Sequence, residues 1–439
     1  MQIIKNKILS YLDKLTELTG IDLRYMVKGG SWSVVDFIVG NGASLLMAMA
    51  FTRLLPKEAY GTYSFVLSWA GIFSTFAISG ITGAITRSIA QGFEGDLQRS
   101  FKYKMQWGLI SSLLSLGFAI YYFTAGNNIL AISFGLVAVF LPSYAASTVV
   151  SSYFFAKELF KHNTVISIVT RSVAIITMVG TMFLTDSVPI VLLAYFVPDQ
   201  IIRFLFLWWA IKKYQKNRNT SPDMNIFAMH LTAMNIIGGI SKRLDSILLF
   251  HYIGAAEVAI YRFALIPFEK IQNVLGVSVG ITAPRFAKRS YGEIYQSLGR
   301  KLIWFNMLFA SIAFLAFLGL PLAFKILFPQ YMEAVYYGRI LLLPLFLSAP
   351  AIIQSIWGAK MEIKKLYMLK VITHVSRIVF FAIFIPLYGV AGAIWSQLGI
   401  AFFAGFYIFF MYFKDKSQFQ KSEIAKSGAP QPSSFVPSE

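Results

Sequence analysis

Twelve stretches of about twenty mainly apolar residues, joined by short turns, constrain this chain more than any other feature of it. A helix needs about twenty residues to cross the ~30 Å hydrocarbon core of a bilayer. The spacing predicts spans at 32–54, 60–83, 105–124, 129–153, 164–184, 188–211, 226–252, 258–283, 302–323, 336–358, 368–386 and 390–413. Only 13% of the 439 residues are charged and 57% are hydrophobic. A soluble domain carries roughly 25% charged residues, so the low charge here points to lipid as the solvent for most of the surface. The 41 phenylalanines suit lipid-facing and interfacial positions.

The net charge of +19 would suggest nucleic acid in a soluble chain, but its distribution gives another reading. Basic residues fall in every second connection: Arg87, Arg99, Lys102 and Lys104; Lys157 and Lys161; Lys212, Lys213, Lys216 and Arg218; Arg285, Lys288, Arg289, Arg300 and Lys301; Lys360, Lys364 and Lys365. The alternate connections hold only Arg53, Lys57 and Lys325. Lys and Arg collect in cytoplasmic loops, so an even number of spans with both termini in the cytoplasm is expected, and no nucleic acid partner. Residues 1–31 read as an interfacial amphipathic helix, with Ile4, Ile8, Leu12, Leu15 and Leu18 on one face. Residues 414–439, ending SGAPQPSSFVPSE, read as a disordered cytoplasmic tail.

The chain repeats itself. RLLPKEAYGTY at 53–63 aligns with HYIGAAEVAIY at 251–261, 198 residues later, and FFAKELFKHN at 154–163 resembles WGAKMEIKKL at 357–366, 203 residues later. Each of the latter pair precedes a span containing an arginine, Arg171 or Arg377. The predicted organisation is therefore a six-helix bundle at 32–211, a cytoplasmic linker at 212–225 and a second six-helix bundle at 226–413. The fold class is an all-α polytopic membrane protein with a central cavity, since transporters commonly place substrate between such repeats. No loop is long enough to fold into a catalytic domain, so an enzyme is not expected, and nothing in the sequence asks for a metal or other cofactor; the absence of cysteine removes thiolate sites.

Setting aside the outer four residues at each span end, where Arg53, Arg339 and Lys370 lie, the spans hold seven bases, Arg171, Arg203, Lys242, Arg243, Arg262, Lys270 and Arg377, against four acids, Asp36, Asp199, Asp245 and Glu269. A charge near the bilayer centre costs about 2.5–3.5 kcal/mol, so these groups must pair, snorkel or line a watery cavity. Asp199 with Arg203, Lys242 with Asp245 and Arg262 with Glu269 share helix faces by spacing, and each pair reads either as a structural salt bridge or as part of a site. Arg171, Lys270 and Arg377 have no partner at helical spacing and are expected to line the cavity. The excess of three bases suits an anionic substrate, because guanidinium groups bind phosphate oxygens bidentately. Asp245 and Glu269, with Asp36 and Asp199 behind them, are the candidates for ion coupling. Gly238-Gly239 and Pro267 stand beside the charges and are either packing kinks or the interruptions at which transporters expose backbone. The four scattered histidines read as packing or interfacial residues.

Several of these segments resemble a known family. TRLLPKEAYGTYSF (52–65) followed by ISGITGAITRSIAQ (78–91), RLDSILLFHYIGAAEVAIYRFA (243–264), FPQYMEA (328–334) and IPLYGVAGAIWS (385–396) are similar, in order and at the right spans, to the O-antigen flippases of the multidrug/oligosaccharidyl-lipid/polysaccharide exporter superfamily. Ala259 stands where that family usually has Gly. The resemblance implies a bacterial inner-membrane flippase that carries an undecaprenyl-pyrophosphate-linked oligosaccharide to the periplasmic leaflet by alternating access. It also implies membrane lipids as surroundings, H+ or Na+ as coupling ion, and a polysaccharide polymerase and ligase as partners. The rivals are a multidrug antiporter of the same superfamily, for which an acidic cavity is expected, a fourteen-span lipid II flippase, and a membrane glycan polymerase or ligase, which would need a large outer loop.

Overall fold

The computed structural model describes residues 23–427, and the described residues are helical with short turns and two 3-10 segments. Most of the predicted N-terminal interfacial helix and the Ser/Pro-rich end of the tail lie outside them. The helices are α1 (Leu23–Leu54), α2 (Lys57–Phe76), α3 (Ile81–Ala90), α4 (Asp96–Thr124), α5 (Asn128–Ser147), α6 (Val149–Ala156), α7 (Phe160–Leu184), α8 (Val188–Lys213), α9 (Met224–Ser241), α10 (Leu244–Tyr252), α11 (Ala255–Lys288), α12 (Tyr291–Leu327), α13 (Ala334–Leu341), α14 (Ala349–Ala359) and α15 (Ile363–Ser427).

Among the described residues seven helices are long and apolar enough to cross a membrane. Two further spans are bent pairs, α2–α3 at 51° and Ala334–Leu347 with α14 at 54°. The long α15 is two spans, broken where Gly389 takes φ 57° and ψ −130°, a conformation open to glycine and closed to most side chains. α9–α10 and α11 complete the set of twelve expected from the sequence; they hold most of the charges. The chain is thus an all-helical, multi-pass membrane protein.

By compactness the chain divides into two units, between Ala259 and Ile260. The predicted linker 212–225 and the seventh span, 226–252, therefore pack with the first unit. Glycine explains how. A Cβ on Gly61 would collide with the carbonyl of Ala255, one on Gly71 with the Arg243 guanidinium, and one on Gly80 with the backbone of Ala228 and Thr232. Thr232 Oγ1 accepts the Gly80 N–H at 3.0 Å. Small residues that let backbones approach closely are the usual means of joining helices in lipid, where burial of apolar surface supplies no drive. Hydroxyl and amide bonds between helices add to this: Ser111 Oγ donates to Phe73 O at 2.6 Å, Ser115 Oγ to Phe134 O at 2.8 Å and Gln200 Nε2 to Phe140 O at 2.9 Å.

The first unit's main apolar cluster joins α3, α6, α7, α8 and α9 around Ile85, Val149, Tyr153, Phe154 and Ile166, all buried. In the second unit α12, α14 and α15 meet around Ile353, Ile356, Trp357 and Tyr412. α15 also carries a correction. Residues 414–427, expected in the disordered tail, are helical. The stretch is rich in Lys, Gln and Glu, good helix formers, and Asp415 anchors its start by bonding Lys365 at 2.7 Å.

The repeat seen in the sequence recurs in the backbone. After α6, Glu158 takes φ 58°, and Leu159 N bonds Phe154 O at 2.9 Å; after α14, Met361 takes φ 56°, and Glu362 N bonds Trp357 O at 2.9 Å. Lys157 N to Tyr153 O and Lys360 N to Ile356 O match as well, at 3.0 and 2.9 Å. The two turns are the same helix C-cap, with a left-handed residue just past the helix end, set 203 residues apart.

Candidate functional site

Within the first unit, the charges of the membrane spans are gathered at three places. On α7, Arg171 Nη1 donates to Asp36 Oδ1 at 2.8 Å and to Asp36 O at 3.2 Å, so the base that lacks a partner at helical spacing finds one on α1. Its guanidinium lies against Gly40, where a side chain would collide with it. On α8, Arg203 Nε donates to Asp199 Oδ2 at 2.8 Å, the pair that i,i+4 spacing suggested. Around this pair stands a cluster that spacing alone could not show. Tyr144 and Tyr195 share a hydrogen bond at 2.8 Å, Ser143 Oγ donates to Gln200 Oε1 at 2.6 Å, and Tyr63 meets the Tyr195 ring edge-on at 6.5 Å. Pro198 inside α8 removes the helical bond to the Ala194 carbonyl, which accepts from Thr177 Oγ1 on α7 at 3.1 Å instead.

The third place is the break between α9 and α10. The helix stops at Ser241, directly after Gly238-Gly239, and restarts at Leu244. Gly239 is there for closeness: a Cβ would collide with Thr75 on α2. Lys242 is exposed at the break. Arg243 is half-buried, lies across Gly71 and reaches Gly239 O through Nη1 at 3.4 Å. Asp245 is buried, and its Oδ1 accepts the Ser246 N–H at 2.7 Å. The interruption suggested by Gly238-Gly239 is thus present. The one suggested by Pro267 is not, because α11 runs continuously through it.

In the second unit, α11 carries Arg262 and Lys270, both half-buried, and Glu269, which is exposed. On α15, Arg377 is half-buried, and its Nε is enclosed with no hydrogen-bond partner among the described residues.

Some buried polar groups escaped the reading of the sequence. Lys104, counted among loop cations, is buried and donates to Thr148 Oγ1 at 2.9 Å. Glu94 and Asp96 are buried at the start of α4. Glu94 binds the Lys157 ammonium and accepts the Lys216 N–H; Asp96 accepts from Ser88 Oγ and from Ser221 N, the latter at 3.0 Å. Burial alone would push the Glu94 pKa up, but the Lys157 ammonium and the Lys216 and Asn217 backbone outweigh it and hold the carboxyl below its ordinary range. Residues 215–221 are thereby strapped onto 92–99, with Gly95 N donating to Asn219 O at 2.9 Å and Arg99 Nη1 to Ser221 O at 2.8 Å. An acid at the first position of a helix just after a Gly, Asp96 after Gly95, was the available signal. His162 accepts or donates to Tyr214 Oη at 3.0 Å amid Phe154 and Trp209, an aromatic packing site.

Comparison with known proteins adds three findings. The family described as "Polysaccharide biosynthesis protein" matches residues 26–290. No curated protein matches by sequence. Among solved structures, the chain resembles the lipid II flippase MurJ in an inward closed conformation, with a TM-score of 0.61 at 14% identity over 87% of both chains. It also resembles an inward-facing MATE-family multidrug resistance transporter of the MOP superfamily, at 0.58 and 14% identity over 86% of this chain and 95% of the other. A third likeness is to a MOP-superfamily transporter from Pyrococcus furiosus described by a binding pocket of reverse polarity, at 0.55 and 13% identity over 88% and 95%. At such identities these likenesses establish the fold.

Proposed function

Because the chain belongs to the polysaccharide biosynthesis protein family, we propose that it is a flippase for a sugar chain carried on undecaprenyl pyrophosphate. It moves that lipid from the cytoplasmic to the periplasmic leaflet of a bacterial inner membrane by alternating access, with both termini in the cytoplasm. Reporter fusions at residue 213 and at the C-terminus test that topology; a periplasmic signal from either overturns it.

The observation that carries the substrate class is Arg377. A half-buried guanidinium on an apolar helix, with its Nε enclosed and unsatisfied among the described residues, leaves a desolvation cost of about 1–3 kcal/mol uncompensated. A phosphate oxygen supplies the missing acceptor and the opposite charge together. Arg203 and Arg171 differ, since carboxylates already hold them at 2.8 Å; they support the helices around the path. Lys242, Arg243, Arg262 and Lys270 make up the rest of the basic excess that favours an anion over a cationic drug.

Ion coupling falls to Asp245. It is buried beside the helix break, where a carboxylate presents oxygen atoms and charge to a coupling ion. Asp36 and Asp199 are tied to arginines, and Glu269 is exposed, so each is the weaker candidate. H+ or Na+ is the ion, and a glycan polymerase and a ligase are the downstream partners.

The test is transfer of an undecaprenyl-pyrophosphate-linked oligosaccharide across proteoliposomes containing the full chain. Uptake that requires the pyrophosphate and fails with Arg377→Ala supports the reading. Export of cationic drugs with no effect of the lipid-linked sugar overturns it in favour of a multidrug antiporter.

A further inference from the structure

The strap of 215–221 and the start of α4 border an open pocket of about 450 Å³ lined by polar and basic side chains, among them Gln98, Arg99, Lys102, Gln106, Gln215 and Arg218. That size is within the range of small-molecule sites. No acid lines it. Arg99 shares its charge with Asp96 beneath it, at 3.9 Å, and spends one nitrogen on Ser221 O; its remaining N–H groups are donors. Lys102 and Arg218 are exposed and enter no ion pair among the described residues. Gln98 Nε2 donates to Gln215 Oε1 at 3.0 Å and ties α4 to the strap across the cavity.

What lies next to the cavity identifies the ligand. Lys102 and Gln106 continue along α4 into Leu109, Leu113, Leu116 and Ile120 at alternating steps of three and four, which is one helix face. Those four are 59%, 68%, 47% and 57% exposed. A basic pocket at the head of an exposed apolar stripe has the form of a headgroup site above an acyl-chain surface. Aromatic residues mark the depth: Tyr103 and Trp107 meet edge-on at 6.3 Å on α4, and Lys212 lies over Trp208 at 4.0 Å on α8. Tyr and Trp beside Lys are the signature of the membrane–water interface.

We propose that this cavity binds the phosphodiester headgroup of an anionic glycerophospholipid, in the leaflet on the side of the basic loops, and that the bound lipid braces the strap against α4. The ligand is a resident lipid rather than the transported one, and the inference does not depend on the transport reading.

Native mass spectrometry of the purified full chain tests it, with phosphatidylglycerol, phosphatidylcholine and inorganic pyrophosphate as probes. Phosphatidylglycerol should be retained and phosphatidylcholine lost. Each basic residue near a membrane surface contributes about 1 kcal/mol toward an anionic lipid. Lys102→Gln with Arg218→Gln should therefore weaken retention about thirty-fold, at tenfold per 1.4 kcal/mol. Both side chains are exposed, so the variant should elute as the parent does and, after delipidation, melt as the parent does. Undiminished retention in that variant overturns the proposal. So does displacement of the lipid by an equal concentration of pyrophosphate, which would make the cavity a soluble-anion site. A variant that fails to fold leaves the wild-type comparison decisive: equal retention of the two phospholipids also overturns it.

Discussion

Two stretches of this chain, 153–171 and 356–377, share a backbone and differ in what their arginines touch. Each begins with a helix end capped by a left-handed residue, Glu158 or Met361, and leads into a helix with an arginine inside it. In the first, Arg171 is answered by Asp36. In the second, Arg377 has an enclosed Nε without a partner among the described residues. No acid stands at 234–239, MNIIGG, reached from Asp36 by the repeat offsets of 198 to 203, nor at Lys242, reached by the 206 that separates the two arginines. The arginines themselves lie 13 residues past Glu158 and 16 past Met361, about one helical turn out of register, and a carboxylate meets the first. The lesson is that a repeated backbone is not a repeated role, since the partner, not the base, decides whether a buried charge is structural or available.

That contrast can be broken most directly at the arginines. Arg377→Ala should cut lipid-linked sugar transfer by about ten-fold to a hundred-fold, given the ~1.5–3 kcal/mol of a charged hydrogen bond, while its melting temperature stays level or rises. A falling melting temperature with intact transfer would make Arg377 structural. Arg171→Ala should do the reverse in kind, lowering stability by about 1–2 kcal/mol, a moderate figure because the pair is partly exposed. Exchange of charges, Arg171→Asp with Asp36→Arg, should recover part of that loss in thermal unfolding; no recovery would mean that the two do not act as a pair.

The capped turns themselves should respond alike. Glu158→Gly and Met361→Gly each remove a side chain from the left-handed region at an exposed site, and each should stabilise by about 0.5–1 kcal/mol. Unequal gains would show that the two backbones are less similar than their hydrogen bonds.

The smallest effect separates the lysines that follow the caps. Lys157 is held by the Glu94 carboxylate, whereas Lys360 is held by the carbonyls of Ala287 and Arg289. Because the Glu94 pKa is lowered on folding, its stabilisation is complete above the ordinary glutamate range and is lost as pH falls through the lower, folded value. Hydrogen-exchange protection, taken relative to the intrinsic rate at each pH, should therefore fall at 157–161 in acid, and at 360–364 it should not. Parallel behaviour of both turns would remove Glu94 as the anchor.

The spans, their number and the repeated caps were legible because each is written in local pattern: twenty apolar residues, or KEL and KME after an aromatic helix end. Asp199 with Arg203 was legible for the same reason, both being on one helix face. Arg171 with Asp36 was not, since 135 residues separate them, and periodicity says which face a residue occupies but not which helix lies against it. The burial of Lys104 was hidden likewise: its partner, Thr148, is on a neighbouring element. The division of the chain at 259 was hidden because Gly61, Gly71 and Gly80 act by what they lack, and only the opposing backbone reveals why.

The strap over the start of α4 bears on how such a chain can change length. Residues 215–221 are bonded to 92–99 by backbone and side chain at several points, including Gly95 with Asn219 and Glu94 with Lys216. The seam of a duplicated gene is ordinarily where insertions and tags are tolerated, because a tether has slack. Here one added residue would pull that register apart. Fluorescent or affinity insertions should be accepted instead at 185–187, a turn held by a bond within itself from Ser187 N to Thr185 Oγ1 at 3.1 Å, and refused between 215 and 221.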